Sequence, residues 1–299
     1  MSTHALGDLA IEPVTLGPEA RLLTVDVEDW FHANFPSAST LGGGDLPRRV
    51  ESGVACALDL LAESSTRATF FVLGCVAREH PCVVRKIADA GHEVASHAMD
   101  HDLVYELEPR RFAEAALRAR NLLQDQSGQP VVGFRAPSWS ITQRSLWAFD
   151  VLAEIGFEYD SSAFPGTSPL YGIPGAPTGP YRLRLRDGRS LLEVPPSVLG
   201  VGPLRMGIGG GVYLRALPVF VQRLAMHRYA RWDEPFMVYV HPRELDPSAW
   251  DLRLPLSPLE QRFHRVGIRS TPRKLRSLLR RGRWQTIGEA VARAIPRSA

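Results

Sequence analysis

Short apolar runs alternate with segments of helical periodicity along most of the chain. Seven apolar runs predict strands: RLLTV (21–25), ATFFVLG (68–74), HEVASH (92–97), VVGFR (131–135), FEYD (157–160), LLEVP (191–195) and FMVYVH (236–241). Between them, apolar residues at helical spacing predict helices over 81–91, 109–123 and 145–156. Strands that alternate with helices of about 10–15 residues indicate a parallel sheet with crossover helices. Six or seven such units favour an α/β fold whose sheet closes, or nearly closes, into a barrel.

Two loops interrupt this alternation, and an extension follows it. The stretch 163–180 is rich in Pro and Gly, which predicts a long loop. The stretch 200–212 is a second predicted loop, and its glycines match neither GxGxxG nor GxxxxGK[ST], so we do not predict a nucleotide site there. We expect these two loops to determine the substrate. Further on, TPRKLRSLLRR predicts a helix with Thr271 as its N-cap, and TIGEAVARAI a helix with a Thr-x-x-Glu capping box. The predicted domains are an N-terminal extension (1–20), a barrel (21–245) and a basic helical C-terminal extension packed on the barrel (246–299).

Composition narrows the class of protein. Of the 299 residues, 44% are hydrophobic and 22% charged, which is typical of a soluble globular protein. No apolar run reaches the roughly 20 residues that a bilayer crossing needs. The start of the sequence lacks the basic and apolar regions of a signal peptide, and the three cysteines form no CxxC pair. We therefore expect a cytoplasmic protein without a disulfide framework.

The net charge of +3 conceals an uneven distribution. Residues 262–299 contain 11 Lys and Arg against one Glu, whereas the rest of the chain is net acidic. Such a charge run is usually a solvated face. The alternative is a surface that meets an anionic membrane, which would place the protein peripherally at the inner membrane face. We expect no nucleic-acid partner.

Acids and histidines form the first candidate site. Asp26, Glu28 and Asp29 directly follow the first strand. Crowded carboxylates resist burial unless a positive charge lies among them. His97 and His101 are four residues apart, so in a helical turn both imidazoles would point to one side and could bind a divalent ion together with one acid.

Other polar residues follow further predicted strands. Arg135 ends VVGFR, Asp160 ends FEYD and His241 ends FMVYVH. In a β/α barrel the carboxyl ends of the strands meet at one mouth, where catalytic residues lie. A divalent ion there activates water, an acid beside Arg135 can act as general base, and His241 can protonate a departing amine. These parts predict metal-assisted hydrolysis of an amide or ester.

Five stretches resemble, in order, the motifs of the polysaccharide deacetylases (the NodB-homology group, carbohydrate esterase family 4): TVDVEDW, SHAMDH, RAPSW, YDSS and VYVHP. With GGGVYLR, HPRELDP and the basic extension, the chain more narrowly resembles the exosortase/PEP-CTERM-associated deacetylases. The resemblance implies a distorted (β/α)7 barrel that removes N-acetyl groups from an amino sugar. The implied substrate is a cell-surface polysaccharide or exopolysaccharide, or its lipid- or nucleotide-linked precursor.

The resemblance also implies roles for individual residues. The general base, the arginine that orients it, the acid that tunes the chemistry and the general acid would be Asp26, Arg135, Asp160 and His241. One divalent ion, Zn²⁺ in our expectation, would be bound by His97, His101 and one nearby acid. Substrate binding would fall to two residues of RAPSW, Pro137 and Trp139.

Two departures from the family pattern keep alternatives open. Val27 follows Asp26 where relatives have a second aspartate, so the acidic metal ligand is either Glu28 or Asp29. Ala98 stands where Ser or Thr usually follows the first histidine, which removes a hydrogen-bonding group. The alternative functions are a metal-independent hydrolase of cyclic amides, similar to allantoinase, and a barrel that binds glycan without turnover.

Overall fold

The computed structural model describes residues 5–17, 20–33, 48–168, 170–252 and 254–294. The strands are Ala10–Pro13 (β1), Arg21–Val27 (β2), Thr69–Val72 (β3), Glu93–Ser96 (β4), Gly133–Phe134 (β5), Tyr159–Asp160 (β6), Tyr181–Arg184 (β7), Ser190–Glu193 (β8), Val198–Leu199 (β9), Met206–Gly207 (β10), Phe236–Val240 (β11) and Trp284–Gln285 (β12). The α-helices are Val50–Glu63 (α1), Gly74–Glu79 (α2), Pro81–Asp89 (α3), Pro109–Ser127 (α4), Trp147–Ile155 (α5), Gly211–Ala216 (α6), Val219–Arg231 (α7), Pro242–Leu245 (α8), Pro258–Arg265 (α9), Thr271–Leu279 (α10) and Ile287–Ala294 (α11). The 3₁₀ helices are Trp30–His32, Val104–Glu106, Pro137–Trp139, Gly202–Leu204, Pro247–Ala249 and Ile268–Ser270.

Seven of these strands form a continuous parallel series, in the order β8-β6-β5-β4-β3-β2-β11. They correspond to the seven apolar runs of the sequence. Strands covered on both faces read as continuous apolar runs, and all four residues of β3 are buried. β7 pairs antiparallel with β8, and β1 pairs antiparallel with β7. The parallel set therefore has a short antiparallel margin on one side.

The gap between β8 and β11 is bridged by irregular chain. The amide of Met237 donates to the hydroxyl of Ser197 at 2.8 Å, and the amide of Tyr239 donates to the carbonyl of Gly209 at 3.3 Å. A side chain at Gly209 would collide with the carbonyl oxygen of Met237, which explains why glycine occupies this position. The glycines of 200–212 thus allow close backbone approach at the seam of a distorted barrel.

The helices follow the predicted periodicity, with small differences at their ends. α3 has Pro81 in its first turn and buries Val83, Val84 and Ile87 against the sheet. The helix α10 is present, but Thr271 is its first helical residue and Ser270 precedes it as the N-cap. This corrects the predicted cap by one residue. The predicted strand VVGFR is only two residues long in the structure, Gly133–Phe134.

Both predicted extensions add strands to the barrel sheet: β1 pairs with β7, and β12 pairs in parallel with β2. The predicted capping box of α11 is present, since the amide of Glu289 donates to the hydroxyl of Thr286 at 3.0 Å and the amide of Thr286 donates to the carboxylate of Glu289 at 3.3 Å. The boundaries of the three predicted domains stay a prediction.

Part of the basic charge of 262–294 is used within the chain. Arg276 forms an ion pair with Glu63 at 2.6 Å, and the ammonium of Lys274 donates to main-chain carbonyls of 214–217. Contact of this segment with a membrane stays a prediction. Within the described ranges, we find no helix that combines the length and the apolar character of a membrane span.

Candidate active site

The carboxyl ends of the parallel strands surround a cleft of about 310 Å³. The sequence-predicted residues that line this cleft are Asp26, Glu28, His97, His101, Arg135, Trp139 and His241. Leu170 and Tyr171 of the first predicted loop and Val212 at the end of the second also line it. The strand ends therefore bring most of the predicted site together, as the rule for barrel mouths requires.

Asp26 and Arg135 form a buried ion pair. The guanidinium Nη1 of Arg135 lies 2.7 Å from Oδ1 of Asp26 and also donates to the hydroxyl of Thr24 at 2.8 Å. Its Nη2 donates to the hydroxyl of Ser161 at 2.9 Å, and the ring of Phe71 lies 4.1 Å from the guanidinium carbon. Arg135 is only 1% exposed, so these contacts replace water around its charge and hold Asp26 in one orientation.

Glu28 lies between the two predicted histidine ligands. Its Oε2 atom is 2.9 Å from Nε2 of His101 and 4.0 Å from Nε2 of His97. One potential ligand atom from each of the three residues lies within 4.8 Å of the other two. Two imidazoles and one carboxylate form a donor set that suits Zn²⁺ and leaves coordination positions open.

The orientation of His97 also fits a metal ligand. Its Nδ1 atom lies 2.7 Å from the main-chain oxygen of Arg135. A carbonyl oxygen can only accept, so Nδ1 carries the proton and the lone pair of Nε2 faces Glu28. Burial lowers the pKa of His97 to about 4, against the opposing charges of Asp26 and Glu28. A neutral imidazole fixed through its other nitrogen is the usual state of a metal-binding histidine.

The second oxygen of Glu28 is held by a cation. Its Oε1 atom lies 2.9 Å from Nη1 of Arg243 and 3.8 Å from Nε2 of His241. Burial raises the pKa of Glu28, but the interactions with His101, His241 and Arg243, among them a hydrogen bond with His101, outweigh burial and hold this pKa well below its usual range. Glu28 is therefore ionised, with one oxygen on the imidazoles and the other on Arg243.

Asp29, the alternative acidic metal ligand in the sequence prediction, is instead held by backbone amides. Its carboxylate accepts hydrogen bonds from the amides of Trp30 at 2.9 Å, Arg49 at 2.7 Å and Val50 at 3.1 Å. These bonds cap the 3₁₀ turn after β2 and the start of α1. Burial raises the pKa of this carboxyl despite the three donors. The structure thus places Glu28, rather than Asp29, beside His97 and His101.

The chain between His97 and His101 is not helical, contrary to the sequence prediction. Ala98 has a φ of 69°, in the left-handed region that favours glycine. The start of α2 holds this loop, because the amide of Gly74 donates to the carbonyl of Ala98 at 2.9 Å. The imidazole ring centroids are still only 5.9 Å apart. An irregular loop, instead of a helical turn, brings the two histidines together.

Comparisons with known proteins identify what the chain is similar to. The family model described as polysaccharide deacetylase matches residues 44–159, and a model described as a domain of unknown function matches residues 161–292. Residues 44–159 therefore form a polysaccharide deacetylase domain. The structure is similar to a Mycobacterium smegmatis protein classed as a polysaccharide deacetylase, with a TM-score of 0.61 and 22% identity over 95% of this chain and 94% of that chain. It is similar to Puue allantoinase, with a TM-score of 0.60 and 15% identity over 94% and 93% of the two chains. These likenesses confirm the predicted barrel fold.

Curated relatives match shorter parts of the chain. A peptidoglycan deacetylase of Helicobacter pylori is 25% identical over 59% of this chain and 61% of its own length. A chitooligosaccharide deacetylase of Sinorhizobium fredii is 34% identical over 32% of this chain and 42% of its own length. The chain thus spans less than two thirds of these relatives. The narrower exosortase/PEP-CTERM resemblance stays a prediction.

Asp160, the predicted tuning acid, lies beneath the mouth and pairs with another acid. Its carboxylate accepts from the amide of Ser162 at 3.1 Å and from the hydroxyl of Ser162 at 2.6 Å. Glu193, at the end of β8, contacts it. Burial and then the charge of Asp160 raise the pKa of Glu193 well above its usual range, so Glu193 keeps its proton. The hydroxyl of Ser162 also accepts from the amide of Ala136 at 2.7 Å, which connects this acid pair to the loop after Arg135.

Of the two predicted substrate-binding residues, Trp139 lines the cleft, whereas Pro137 is buried and is not among the described lining residues. Ser138 and Trp139 both have a positive φ, 51° and 49°. Such strained backbone persists only where surrounding packing enforces it, and the ring of Trp139 lies 4.7 Å from that of Tyr239. The indole Nε1 of Trp139 is buried without a hydrogen-bond partner among the described residues. Substrate binding by Pro137 and Trp139 stays a prediction.

Sequence reasoning missed three charged residues of this region. Arg243 and Glu244 lie in HPRELDP, directly after the predicted general acid, and Glu193 lies inside the predicted strand LLEVP. The rule used for Asp160, a polar residue where a strand ends, did not select Glu193, because the predicted strand continues to Pro195 whereas β8 ends at Glu193. Arg243 and Glu244 had no comparable signal, because their partners lie far away in the sequence.

Proposed function

We propose that this chain is a metal-dependent hydrolase that removes acetyl groups from N-acetylated amino sugars of a glycan or of a glycan precursor. The observation that carries the proposal is the arrangement of Glu28, His97 and His101 around one point, with the Asp26–Arg135 pair and His241 lining the same cleft. The names of the curated relatives, which act on peptidoglycan and chitooligosaccharide, support the substrate class.

In this proposal Glu28, His97 and His101 hold the cation. A bound Zn²⁺ would supply Lewis acidity, which activates water and polarises the acetyl carbonyl. Asp26, oriented by Arg135, takes a proton from the attacking water as general base. His241 gives a proton to the departing amine as general acid, so that the amine leaves as a neutral group.

The substrate would lie against Trp139 and Tyr171, whose rings form one wall of the cleft. Aromatic faces suit the apolar faces of sugar rings, and the unpartnered indole N–H of Trp139 can donate to a hydroxyl or carbonyl oxygen.

We further propose that the substrate is a precursor presented at the cytoplasmic face of a membrane, with the basic segment 262–299 near anionic headgroups. Vesicle co-sedimentation that is unchanged without 262–299 would remove that proposal.

Metal analysis combined with an acetate-release assay tests the proposed reaction. His97→Ala should lose both bound zinc and acetate release from N-acetylglucosamine oligomers. Asp26→Asn should retain zinc and lose about 10²- to 10⁴-fold in kcat, because only the base is removed. His227→Ala, an exposed histidine of α7, is the matched control and should change neither quantity.

The same assay separates the competing functions. Acetate release that persists in zinc-free His97→Ala protein contradicts the proposal. Hydrolysis of a cyclic amide that resists chelators would favour the allantoinase-like alternative. Binding of oligomers without any acetate release by wild-type protein would favour a glycan-binding barrel.

A further inference from the structure

Glu244 is a buried carboxylate next to the imidazole of His241. Its Oε2 atom lies 3.4 Å from Nδ1 of His241 and accepts a hydrogen bond from the His241 amide at 3.1 Å. Nδ1 of His241 has no fully formed hydrogen bond within the described residues. The opposite ring nitrogen, Nε2, faces Glu28 in the cleft. Glu244 therefore lies behind the imidazole, on the side away from the reacting groups.

The other oxygen of Glu244 faces a buried arginine. Oε1 lies 3.0 Å from Nε of Arg215, a residue of α6. Glu244 is completely buried and Arg215 is 7% exposed. Burial raises the pKa of Glu244, but the charges of His241, Arg215 and Arg243 bring it down to about 2. An ionised carboxylate in this position needs these cations, because desolvation without them would be costly.

Arg215 is held in turn by the C-terminal extension. Its Nη1 atom donates to three carbonyls in the last turn of α9 and just beyond it, those of Phe263 (3.1 Å), His264 (2.6 Å) and Val266 (3.3 Å). In the opposite direction, Lys274 of α10 donates to the carbonyls at the end of α6, those of Leu214 (3.1 Å), Arg215 (2.6 Å) and Leu217 (2.7 Å). Carbonyls at helix ends lack helical partners, so each cation satisfies groups that would otherwise be unpaired.

The turn between α9 and α10 allows the C-terminal extension to lie close to α6. Gly267 has a φ of 64°, and a side chain at this position would collide with the carbonyl oxygen of Arg215. The glycine therefore allows the extension to approach α6 closely enough for both sets of hydrogen bonds. We use the name extension clasp for these two sets of hydrogen bonds, from Arg215 to the carbonyls of 263–266 and from Lys274 to the carbonyls of 214–217.

We propose that Glu244 is a positioning residue for His241, and that the extension clasp holds Glu244 in place through Arg215. The inference rests on the proposed function, in which His241 is the general acid. By accepting the Nδ1 proton, Glu244 would direct Nε2 into the cleft and stabilise the imidazolium form, as a buried aspartate does for the histidine of a serine protease triad.

The position of Asp160 supports this assignment. The family resemblance gave the tuning role to Asp160, but its described partners are Ser162 and Glu193. Glu244 is the acid that contacts Nδ1 of His241, whereas Glu28 faces Nε2. The carboxylate behind the general acid thus comes from the turn after β11, two residues beyond Pro242, and not from the end of β6.

A comparison of leaving groups tests the role of Glu244. An amine must be protonated to depart, whereas 4-nitrophenolate departs without a proton. In zinc-loaded full-length protein, Glu244→Gln should therefore lower acetate release from an N-acetylglucosamine oligomer by about 10²-fold or more. Hydrolysis of 4-nitrophenyl acetate should stay within about 3-fold of wild type, the size of an ordinary surface substitution. Equal losses on the two substrates would overturn the proposal, because they would indicate general damage to the site.

Two further variants locate the effect. Arg215→Lys keeps the charge but cannot contact both Glu244 and the carbonyls of 263–266. It should therefore also lower acetate release from the oligomer more than hydrolysis of 4-nitrophenyl acetate, with a smaller difference than in Glu244→Gln. Glu234→Gln is the matched control, since this partly buried glutamate bonds Thr178 outside the cleft and should leave both rates unchanged. An Arg215→Lys protein without a split would remove the extension clasp from the proposal.

Nitrogen NMR of His241 gives an answer that does not depend on activity. The ¹⁵N shifts of Nδ1 and Nε2 should report a proton on Nδ1 in wild-type protein and a changed proton distribution in Glu244→Gln. Identical shifts in the two proteins would overturn the positioning role. Wild-type protein that releases no acetate from any glycan would instead contradict the proposed function, and these shifts would then decide the positioning role alone.

Discussion

Two pairs of buried acids lie at strand ends of the same barrel, and their charges are balanced differently. Asp26 and Glu28, at the end of β2, each lie within hydrogen-bonding distance of an arginine, Arg135 at 2.7 Å and Arg243 at 2.9 Å. Asp160 and Glu193, at the ends of β6 and β8, face each other. Asp160 also accepts from the hydroxyl of Ser162, and Glu193 accepts from the amide of Ala163. We call these the β2 acids and the β6–β8 acids.

The difference appears in their protonation. Positive neighbours overcome burial and hold the pKa of Glu28 well below its usual range. Burial, reinforced by the charge of Asp160, raises the pKa of Glu193 well above its usual range. Glu28 is thus ionised, as its proposed role as a metal ligand requires, whereas the β6–β8 acids share a proton and contact the loop after Arg135 through Ser162. Of these two glutamates, the ionised one is therefore the one that an arginine balances.

Removing the cation from the β2 acids should give the largest effect on stability. Arg135→Met leaves Asp26 buried without its partner, which should lower the free energy of unfolding by about 3–5 kcal/mol. Adding Asp26→Asn to this variant should recover part of the loss, because the unpaired charge disappears. Urea denaturation of the wild-type, single-variant and double-variant proteins measures both changes.

Arg110→Met is the matched control for that prediction. Arg110 is an exposed residue of α4 that pairs with Glu114 at 3.0 Å. Exposed ion pairs contribute little, so this variant should unfold like wild type. If Arg135→Met also unfolded like wild type, the buried pair would not be what holds Asp26 in place.

The β6–β8 acids should show their difference as a pH dependence. Because the pKa of Glu193 is higher in the folded than in the unfolded protein, its contribution to stability is complete below the unfolded value. That contribution is lost as pH rises toward the folded value. Glu193→Gln removes this loss, so the variant should gain stability relative to wild type as pH rises from 5 to 8, by at most about 1.4 kcal/mol per pH unit. Thermal unfolding across this range checks the slope.

Parallel pH curves for wild-type and Glu193→Gln proteins would contradict the shared proton. The amide of glutamine keeps an oxygen for the Ala163 amide, which Glu193 bonds at 3.1 Å, and adds a donor for Asp160. The substitution therefore changes the ability to ionise more than the hydrogen-bonding pattern.

Much of the fold followed from sequence pattern because its elements are local. A continuous apolar run such as TFFV, or the spacing of Val83, Val84 and Ile87, determines a strand or a helix face without knowledge of the partner. The rule that parallel strands end at one mouth then grouped Asp26, His97, Arg135 and His241. These predictions needed only chain direction and strand order.

The remaining features depend on contacts between distant segments. Glu28 and Asp29 are adjacent acids, and what separates their roles is that Asp29 bonds the amides of Arg49 and Val50, about 20 positions away. Glu244 meets Arg215, which in turn meets the carbonyls of 263–266. No local pattern encodes such pairings, so a single sequence could offer Glu28 and Asp29 only as alternatives.

A fifth acid, Glu93, lies at the opposite end of the barrel, and its substitution should have the smallest effect on the free energy of unfolding. Glu93, at the start of β4, accepts from the hydroxyls of Thr69 at 2.6 Å and Tyr159 at 2.9 Å and from the amide of Gly288 at 3.0 Å. Neither an arginine nor a second acid is among these partners, so neutral donors alone satisfy it. Glu93→Gln should lower the free energy of unfolding by about 1 kcal/mol, the value of one ordinary hydrogen bond, and leave acetate release unchanged. A loss as large as that of Arg135→Met in urea denaturation would instead mean that the charge of Glu93, a half-buried residue, is itself required.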